Sequence, residues 1–502
     1  MQERWLFMSL SEDLKQSIRN NLKKVVGQGA EYVDARFYEH DDSETLLFYD
    51  GNLEANDTSF ESGLGVRVLL GGAWGFAATS NVAEIELCFE QARKNAETAS
   101  RLVRLPLKMS PKPAHKSKYA SPVKTDPFVV PLKDKLDFLM AIDERLKADW
   151  ILRRFVYAEF QKKNSYFFNS EGTEVDKQLT NVFAKMMVMA LDDEGQMQRR
   201  SQDLFTTGKG TRGYEMLTQP ELFSGHAERI KEELSQLIKA EAMEYGRRSV
   251  ILLPGQGFLQ VHETIGHPLE LDRILGYELS YAGGSFVNLD SFGKLQYGSD
   301  KLNVSAFGGI ANSPGSFGFD DEGSPERDYL LIDQGVLVNA LTSRPMIHEA
   351  NEVAGREVFA DVSGGCARAT AFYRAPIDRM TNVNILPGND GTLDDIIAST
   401  EDGVVLDNPT SWSIGSNREH FHFGCEIAWE VKNGKKTRVL KNPTYQGHTV
   451  EFYNSLSAVG DASTWQVWQV DNCGKGEPNQ VMQLAHGVPV IRFDNVITGE
   501  RK

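Results

Sequence analysis

Between Val261 and Leu271 the chain reads Val-His-Glu-Thr-Ile-Gly-His-Pro-Leu-Glu-Leu, which sets His262, Glu263 and His267 within six residues of one another. Two imidazoles on a short helical stretch can give a zinc ion neutral nitrogen ligands. A carboxylate beside the first can take a proton from water that the metal activates. That combination points to hydrolysis. The plainer alternative is an amphipathic helix with two incidental histidines.

The spacing needs an explanation. Histidines at i and i+4 stand about 40° apart on a regular helix and can face one metal, whereas the i and i+5 spacing here leaves them about 140° apart. A straight α-helix therefore cannot form the site. Gly266 is permissive, and Pro268 lacks an N–H and disfavours α geometry in the residue before it. Either a π-bulge absorbs the extra residue or His267 lies on an unwound last turn, so an irregularity is expected between Ile265 and Leu269.

A catalytic zinc needs a third protein ligand and an open fourth place. Glu270 and Asp272 lie just downstream, with poor geometry for reaching back. His420-x-His422-x-x-Cys425 is a second cluster whose histidines would share a strand face. Cys473 sits in Asp-Asn-Cys-Gly-Lys-Gly-Glu-Pro, read as a glycine-flanked loop that a metal could approach closely. Near zinc its thiolate is favoured. Residue types alone leave these three open.

The elements that must position these groups follow from periodicity. Ser9 with Glu12 forms a capping-box pattern ahead of an amphipathic helix to Val26, closed by Gly27. Alternation then marks strands at Val33–Tyr38 and Thr45–Tyr49, a hairpin turn at Asp50-Gly51, and two strands within Gly63–Ala78 joined at Gly71-Gly72. Asn81 and Glu84 start a helix to about Leu102. Six of the 18 prolines lie between Pro106 and Pro131, interleaved with lysines, as in a linker or surface arm. Leu132–Asp149 reads as helix, and strands resume through Phe155–Phe168 and Val182–Leu191. Pro220 to about Tyr245 reads as a long helix, Ser249–Leu253 as a buried strand, and Gly255-Gln256-Gly257 as a turn into the histidine helix. Gly283–Gly318 is glycine-rich and aperiodic, as in a loop over a site. From Asp328 the chain is strand-rich, with only Leu393–Thr400 helical.

The expected class is α+β. It comprises an N-terminal α/β domain with antiparallel sheet and helices (1–105), the arm (106–131), a middle α/β segment packing with the N-terminal domain (132–218), and a C-terminal, largely antiparallel β domain carrying the zinc-site helix (219–502). The composition, 41% hydrophobic and 25% charged, is that of a globular protein. A net charge of −16 opposes nucleic-acid binding, because a phosphate backbone is repelled. Four scattered cysteines do not make a disulfide framework. The short apolar run Trp5–Met8 is no secretory signal, and no stretch is long enough to span a membrane, so a cytoplasmic location is expected.

Several stretches together resemble the TldD/PmbA family of zinc peptidases, historically called modulators of DNA gyrase. They are Gly63-Leu-Gly-Val-Arg67 with Gly75-Phe-Ala77, the His-Glu-x-x-x-His segment with Leu269-Glu270, Asp320-Asp-Glu-Gly323, Arg379-Met-Thr-Asn382 with Leu386-Pro-Gly388, and Cys473-Gly-Lys-Gly476. Their order matches as well, over nearly the whole length. The resemblance implies a zinc metallopeptidase whose ligands are His262, His267 and Cys473, with Glu263 as general base, of the TldD-like catalytic type. It implies extended or unfolded peptides as substrates, with roles in peptide-antibiotic maturation and clearance of unfolded polypeptides. It also implies pairing as a homodimer or with a PmbA-like subunit that lacks the metal residues. A non-catalytic, peptide- or partner-binding subunit is the alternative. His420, His422, Cys425 and the isolated His348-Glu349 fall outside the family's ligand positions and are read as structural. Pro268 stands where the family pattern leads one to expect glycine.

Overall fold

A computed structural model describes residues 10–110 and 112–500. The Ser9 cap and the Trp5–Met8 run lie outside the described residues. Ser11 caps the first helix, α1 (Glu12–Gly27), its hydroxyl accepting from Leu14 N–H.

The first half is built on one long sheet. β1 (Tyr32–Tyr49) and β2 (Asn52–Leu70) form an antiparallel hairpin, and Asp50 and Gly51 turn at positive φ (50° and 85°). Two strands were expected where β1 runs continuously, because the polar stretch Glu39–Glu44 masks the alternation. The register shift between Tyr38 and Asp41 carries the strand through it. β3 (Ala73–Thr79) follows the Gly71-Gly72 turn, and α2 (Ile85–Ser100) packs back on it. Within the proline-bearing stretch, β4 (Lys116–Ala120) pairs parallel with a later strand of the same sheet. Helix α3 (Leu132–Leu146) precedes β5 (Arg153–Asn169), β6 (Glu174–Leu191) and β7 (Met197–Asp203). The spatial order is β3-β2-β1-β5-β6-β4, with β7 against β6. Ile18, Leu22 and Val25 of α1 and Phe89, Ala92 and Ala96 of α2 bury against Val33, Ala35, Val66 and Val68. Burial of such side chains is the main stabilising contribution here.

The expected long helix from Pro220 is instead α4 (Ala227–Leu237), with turns before it and a short strand, Glu241–Ala242, after it. The site half rests on β8 (Gly246–Leu252), which pairs parallel with β9 (Asp402–Ile414) and antiparallel with Ile491–Thr498. β9 turns into β10 (His420–Lys432), and a separate hairpin joins β11 (Gln466–Lys475) to β12 (Gln480–Val488). Two helices go beyond the one expected after residue 328: Arg344–Ala354, and the six-residue Thr449–Asn454, which lies in an aromatic run. For the first, the punctuation was present, with Pro345 in its first turn and Gly355 at φ 62° closing it. Among the described residues no helix is long and apolar enough to cross a membrane.

The two halves are tied by a buried arginine. Arg67 on β2 bonds Asp34 through Nε (3.0 Å to Oδ2) and Glu322 through Nη1 (3.1 Å), and its guanidinium lies 4.6 Å from the Trp74 ring. The Gly-Val-Arg and Asp-Asp-Glu-Gly motifs are thus two sides of one ion-pair cluster.

Candidate metal centre

β8 ends at Leu252, Leu253 is extended, and Pro254 opens α5 (Pro254–Val261) at a position where no N–H is needed. Gly255 and Gly257, expected as a turn, lie inside this helix. A Cβ on Gly255 would sit 2.4 Å from Asn408 Oδ1, and one on Gly257 2.8 Å from Val488 Cγ1, so close packing accounts for both. Trp468 of β11 stacks between Phe258 of α5 and Phe205, at 5.9 and 5.4 Å, and so fills core.

After Val261 the helix widens into a π turn, His262–Gly266, in which His267 N–H donates to His262 O. This i→i+5 closure places the second histidine over the first instead of about 140° away. The ring centroids are 4.7 Å apart, with planes at 79°. The irregularity begins three residues ahead of the expected Ile265–Leu269 span. Pro268 does not unwind its neighbour, since His267 keeps φ −61° and ψ −45° and leads a 3-10 turn to Leu269. Gly266 is required by contact, because a Cβ there would lie 2.0 Å from Met380 Sδ.

The third donor comes from β11. Cys473, expected in a loop, is a strand residue beside a register shift between Val470 and Cys473. His262, His267 and Cys473 are all buried and present ligand atoms within 4.8 Å of one another, the one such group among the described residues. Cys473 Sγ lies 3.5 Å from His267 Nε2.

Hydrogen bonds decide which nitrogens carry lone pairs. His486 Nδ1 lies 2.8 Å from Val383 O, a group that only accepts, so the proton is on Nδ1 and Nε2 is bare. His486 Nε2 in turn lies 2.9 Å from His262 Nδ1, which must donate to it, leaving His262 Nε2 unprotonated. His267 Nδ1 lies 3.1 Å from Glu270 Oε2, which likewise frees Nε2. Burial holds His262 down to about 4 and His486 well below the usual histidine range, so both are neutral at physiological pH.

Charge around the sulfur favours its ionised form. Burial pushes the Cys473 thiol up, but Arg379, with Nη2 2.9 Å from Sγ, and His267 outweigh it and bring it below its ordinary value. Glu270, a candidate ligand by sequence, instead supports His267 from behind. Burial opposes its ionisation, yet Lys475 and His267 hold it well below the carboxylate range. Lys475 reaches Asp272 Oδ1 at 2.6 Å and Glu270 at 3.4 Å. Because alternate strand residues share a face, Cys473 and Lys475 arrive together, which explains the Cys-Gly-Lys spacing.

Glu263 follows His262 in the π turn, and its Oε2 accepts from Arg418 Nη1. His420, His422 and Cys425 lie on β10, outside the cluster, and burial pushes the Cys425 thiol well up. Next to His348, Glu349 accepts from Tyr277 OH at 2.7 Å. Sequence reasoning missed His486 and Arg418. Neither carries a local signal, since each reaches the site from an element distant in the chain.

The chain matches the profile of the PmbA/TldA metallopeptidase C-terminal domain over residues 245–499 and that of the PmbA/TldA metallopeptidase domain 1 over residues 33–96. A metalloprotease of Methanocaldococcus jannaschii is 26% identical over 449 residues, covering 88% of this chain and 92% of that one. A zinc metalloprotease TldD homolog of Saccharolobus solfataricus is 22% identical over 483 residues, covering 95% and 98%. The crystal structure of TldE from Thermococcus kodakarensis superposes with a TM-score of 0.69 at 12% identity, over 97% of this chain and 100% of that one.

Proposed function

Because the chain belongs to the PmbA/TldD metallopeptidase family, we propose that it cleaves peptide bonds with a zinc ion held by His262 Nε2, His267 Nε2 and Cys473 Sγ, and with Glu263 as general base. The observation that carries this reading is the convergence of three buried donors, His262, His267 and Cys473, with Glu263 the residue next to His262 in the same π turn. Zn–S of about 2.3 Å and Zn–N of about 2.05 Å at a tetrahedral angle call for donors roughly 3.6 Å apart. The 3.5 Å between Cys473 Sγ and His267 Nε2 fits. Two neutral imidazoles and a favoured thiolate also make a donor set suited to zinc.

When bound, zinc lowers the pKa of coordinated water to about 7 and polarises the scissile carbonyl. Glu263 takes the proton of the attacking water and returns it to the leaving amine. Arg379 keeps Cys473 ionised, while Glu270 and His486 hold the two imidazoles in the tautomers that bind metal.

An extended or unfolded peptide is the proposed substrate. A cavity of about 600 Å³ lined by Ser59 and Glu61 of β2 and by Asn472 and Met482 comes up to the neighbours of Cys473, while His262, Glu263, His267, Cys473 and Arg418 do not line it, so the substrate reading rests on the strand edge beside it. β3 pairs with β2 only from Leu64 onward, which leaves residues 52–63 an outer edge where main-chain pairing can bind peptide without strong sequence demands. Membership of the PmbA/TldD family supports work in a pair, with a second copy or a PmbA-like subunit.

Zinc content by mass spectrometry, read with peptide turnover, tests the assignment. Wild type and Cys425→Ser should carry zinc, Cys473→Ser should lose it, and Glu263→Gln should keep zinc and lose cleavage. Zinc loss in Cys425→Ser alone moves the site, and unchanged turnover in Glu263→Gln rejects the base. A wild-type chain without zinc leaves the partner-binding alternative.

A further inference from the structure

Among the cations around the donor set are Arg379, Arg273, Lys475 and Arg418, and the first three are committed to holding it. Arg379 is bonded to Cys473 Sγ and to the carbonyls of Cys473 and Gln480. Arg273 is bonded to Glu270 and to the carbonyls of Ala282 and Gly283, and Lys475 to Glu270 and Asp272. Their side chains are 0% exposed. The fourth, Arg418, is 13% exposed and engages the 9%-exposed Glu263, so of the four it alone has access to solvent.

Its placement is imposed by the backbone. Arg418 lies in the turn between β9 and β10 at φ 66°, a left-handed conformation that costs a non-glycine residue about 1–2 kcal/mol. The turn is fixed on both sides. Arg418 N–H donates to Gly415 O (2.8 Å), its carbonyl accepts from Thr449 Oγ1 (2.7 Å), and the neighbouring Asn417 O accepts from Phe286 N–H (2.8 Å). A Cβ on Gly283 would lie 2.1 Å from Ser416 O, so the segment after Tyr277 packs against the same turn. The guanidinium is also only partly used. Nη1 bonds Glu263 and Nη2 bonds Ala282 O at 3.3 Å; Nε is buried without a hydrogen-bond partner, as are Arg379 Nε and Arg273 Nη2, so what sets Arg418 apart is its exposure and its bond to Glu263. A strained backbone that holds the one partly exposed guanidinium of the four against the proposed base places a cation where a substrate carbonyl can reach it.

We propose that Arg418 is a catalytic residue whose guanidinium donates to the carbonyl oxygen of the scissile peptide as that oxygen becomes an oxyanion. The inference rests on the peptidase reading above. Water oxygen adds to the carbonyl carbon, the C=O π pair moves onto oxygen beside Arg418, and the water proton goes to Glu263. When the C–N bond breaks, its pair goes to nitrogen, which takes the proton from Glu263, and the carbonyl re-forms. The charge that Arg418 meets exists only in the transition state, so its loss falls on kcat.

The test compares Arg418→Ala and Arg418→Lys with wild type, using dye-labelled unfolded casein and fluorogenic peptides, with zinc content measured in parallel. Arg418→Ala should keep its zinc and its KM while kcat falls about 10²–10³-fold, the loss typical of one oxyanion donor. Arg418→Lys should recover part of it, and added millimolar guanidinium should rescue Arg418→Ala, which a merely structural role would not permit. A kcat within threefold of wild type, a rise in kcat, or a loss confined to KM overturns the proposal and leaves the peptidase reading intact. Wild type that holds no zinc and cleaves nothing overturns both.

Discussion

Replacing His486 by Phe removes the group that sets the tautomer of His262 while filling nearly the same volume. Two hydrogen bonds go, 2.9 Å to His262 Nδ1 and 2.8 Å to Val383 O, and both abandoned groups stay in a fully buried place. Stranding one buried polar group costs about 1–3 kcal/mol. His262 can then shift its proton to Nε2, the nitrogen proposed to bind metal, so the cost falls on zinc affinity. A 10–100-fold loss, the usual effect of removing such an outer partner, equals about 1.4–2.7 kcal/mol, in the same range. The assay is zinc competition against a chelating dye, with melting of the metal-free proteins as the control for packing. His486→Gln is the decisive companion, because its amide can accept from His262 and donate to Val383. It should recover much of the affinity that His486→Phe loses. Wild-type affinity in His486→Phe, or equal losses in the two variants, refutes the tautomer argument.

Arg67→Met leaves Asp34 and Glu322 buried without their cation, a change expected to cost about 3–5 kcal/mol, read as a lower urea midpoint. A shift under about 1 kcal/mol would mean that the cluster contributes little to joining the halves. In metal-free protein, burial holds His262 near 4 while the unfolded chain protonates it near 6.5. The unfolded state therefore binds more protons between these values. Stability is complete above pH 6.5 and declines as pH falls toward 4, by on the order of 3 kcal/mol. A melting temperature flat across pH 6.5–4.5 would show that His262 takes up a proton in the folded state.

Turns and strands were legible because their signals are local. Asp50-Gly51 and Gly71-Gly72 both adopt the positive φ that their residue types favour. The need for a helix irregularity was legible too, since no regular helix brings i and i+5 together, but its place was not. Pro268 suggested unwinding at His267, whereas the extra residue is absorbed upstream, where Gly266 lets Met380 approach. Cys473 could not be chosen over Glu270 or Cys425 from residue types, and only the resemblance pointed to it. What separates them physically is the company each keeps: Arg379 beside Cys473, Lys475 beside Glu270, and around Cys425 burial with the carboxylates of Asp407 and Glu426, which disfavour a thiolate. The least legible feature is the protonation of His262. It depends on His486, 224 residues away, and through it on a backbone carbonyl of a third segment. A spacing motif states which side chains can reach a metal. Which nitrogen offers its lone pair is settled by groups with no motif at all, so two chains could share His-Glu-x-x-x-His and differ in metal binding through residue 486 alone.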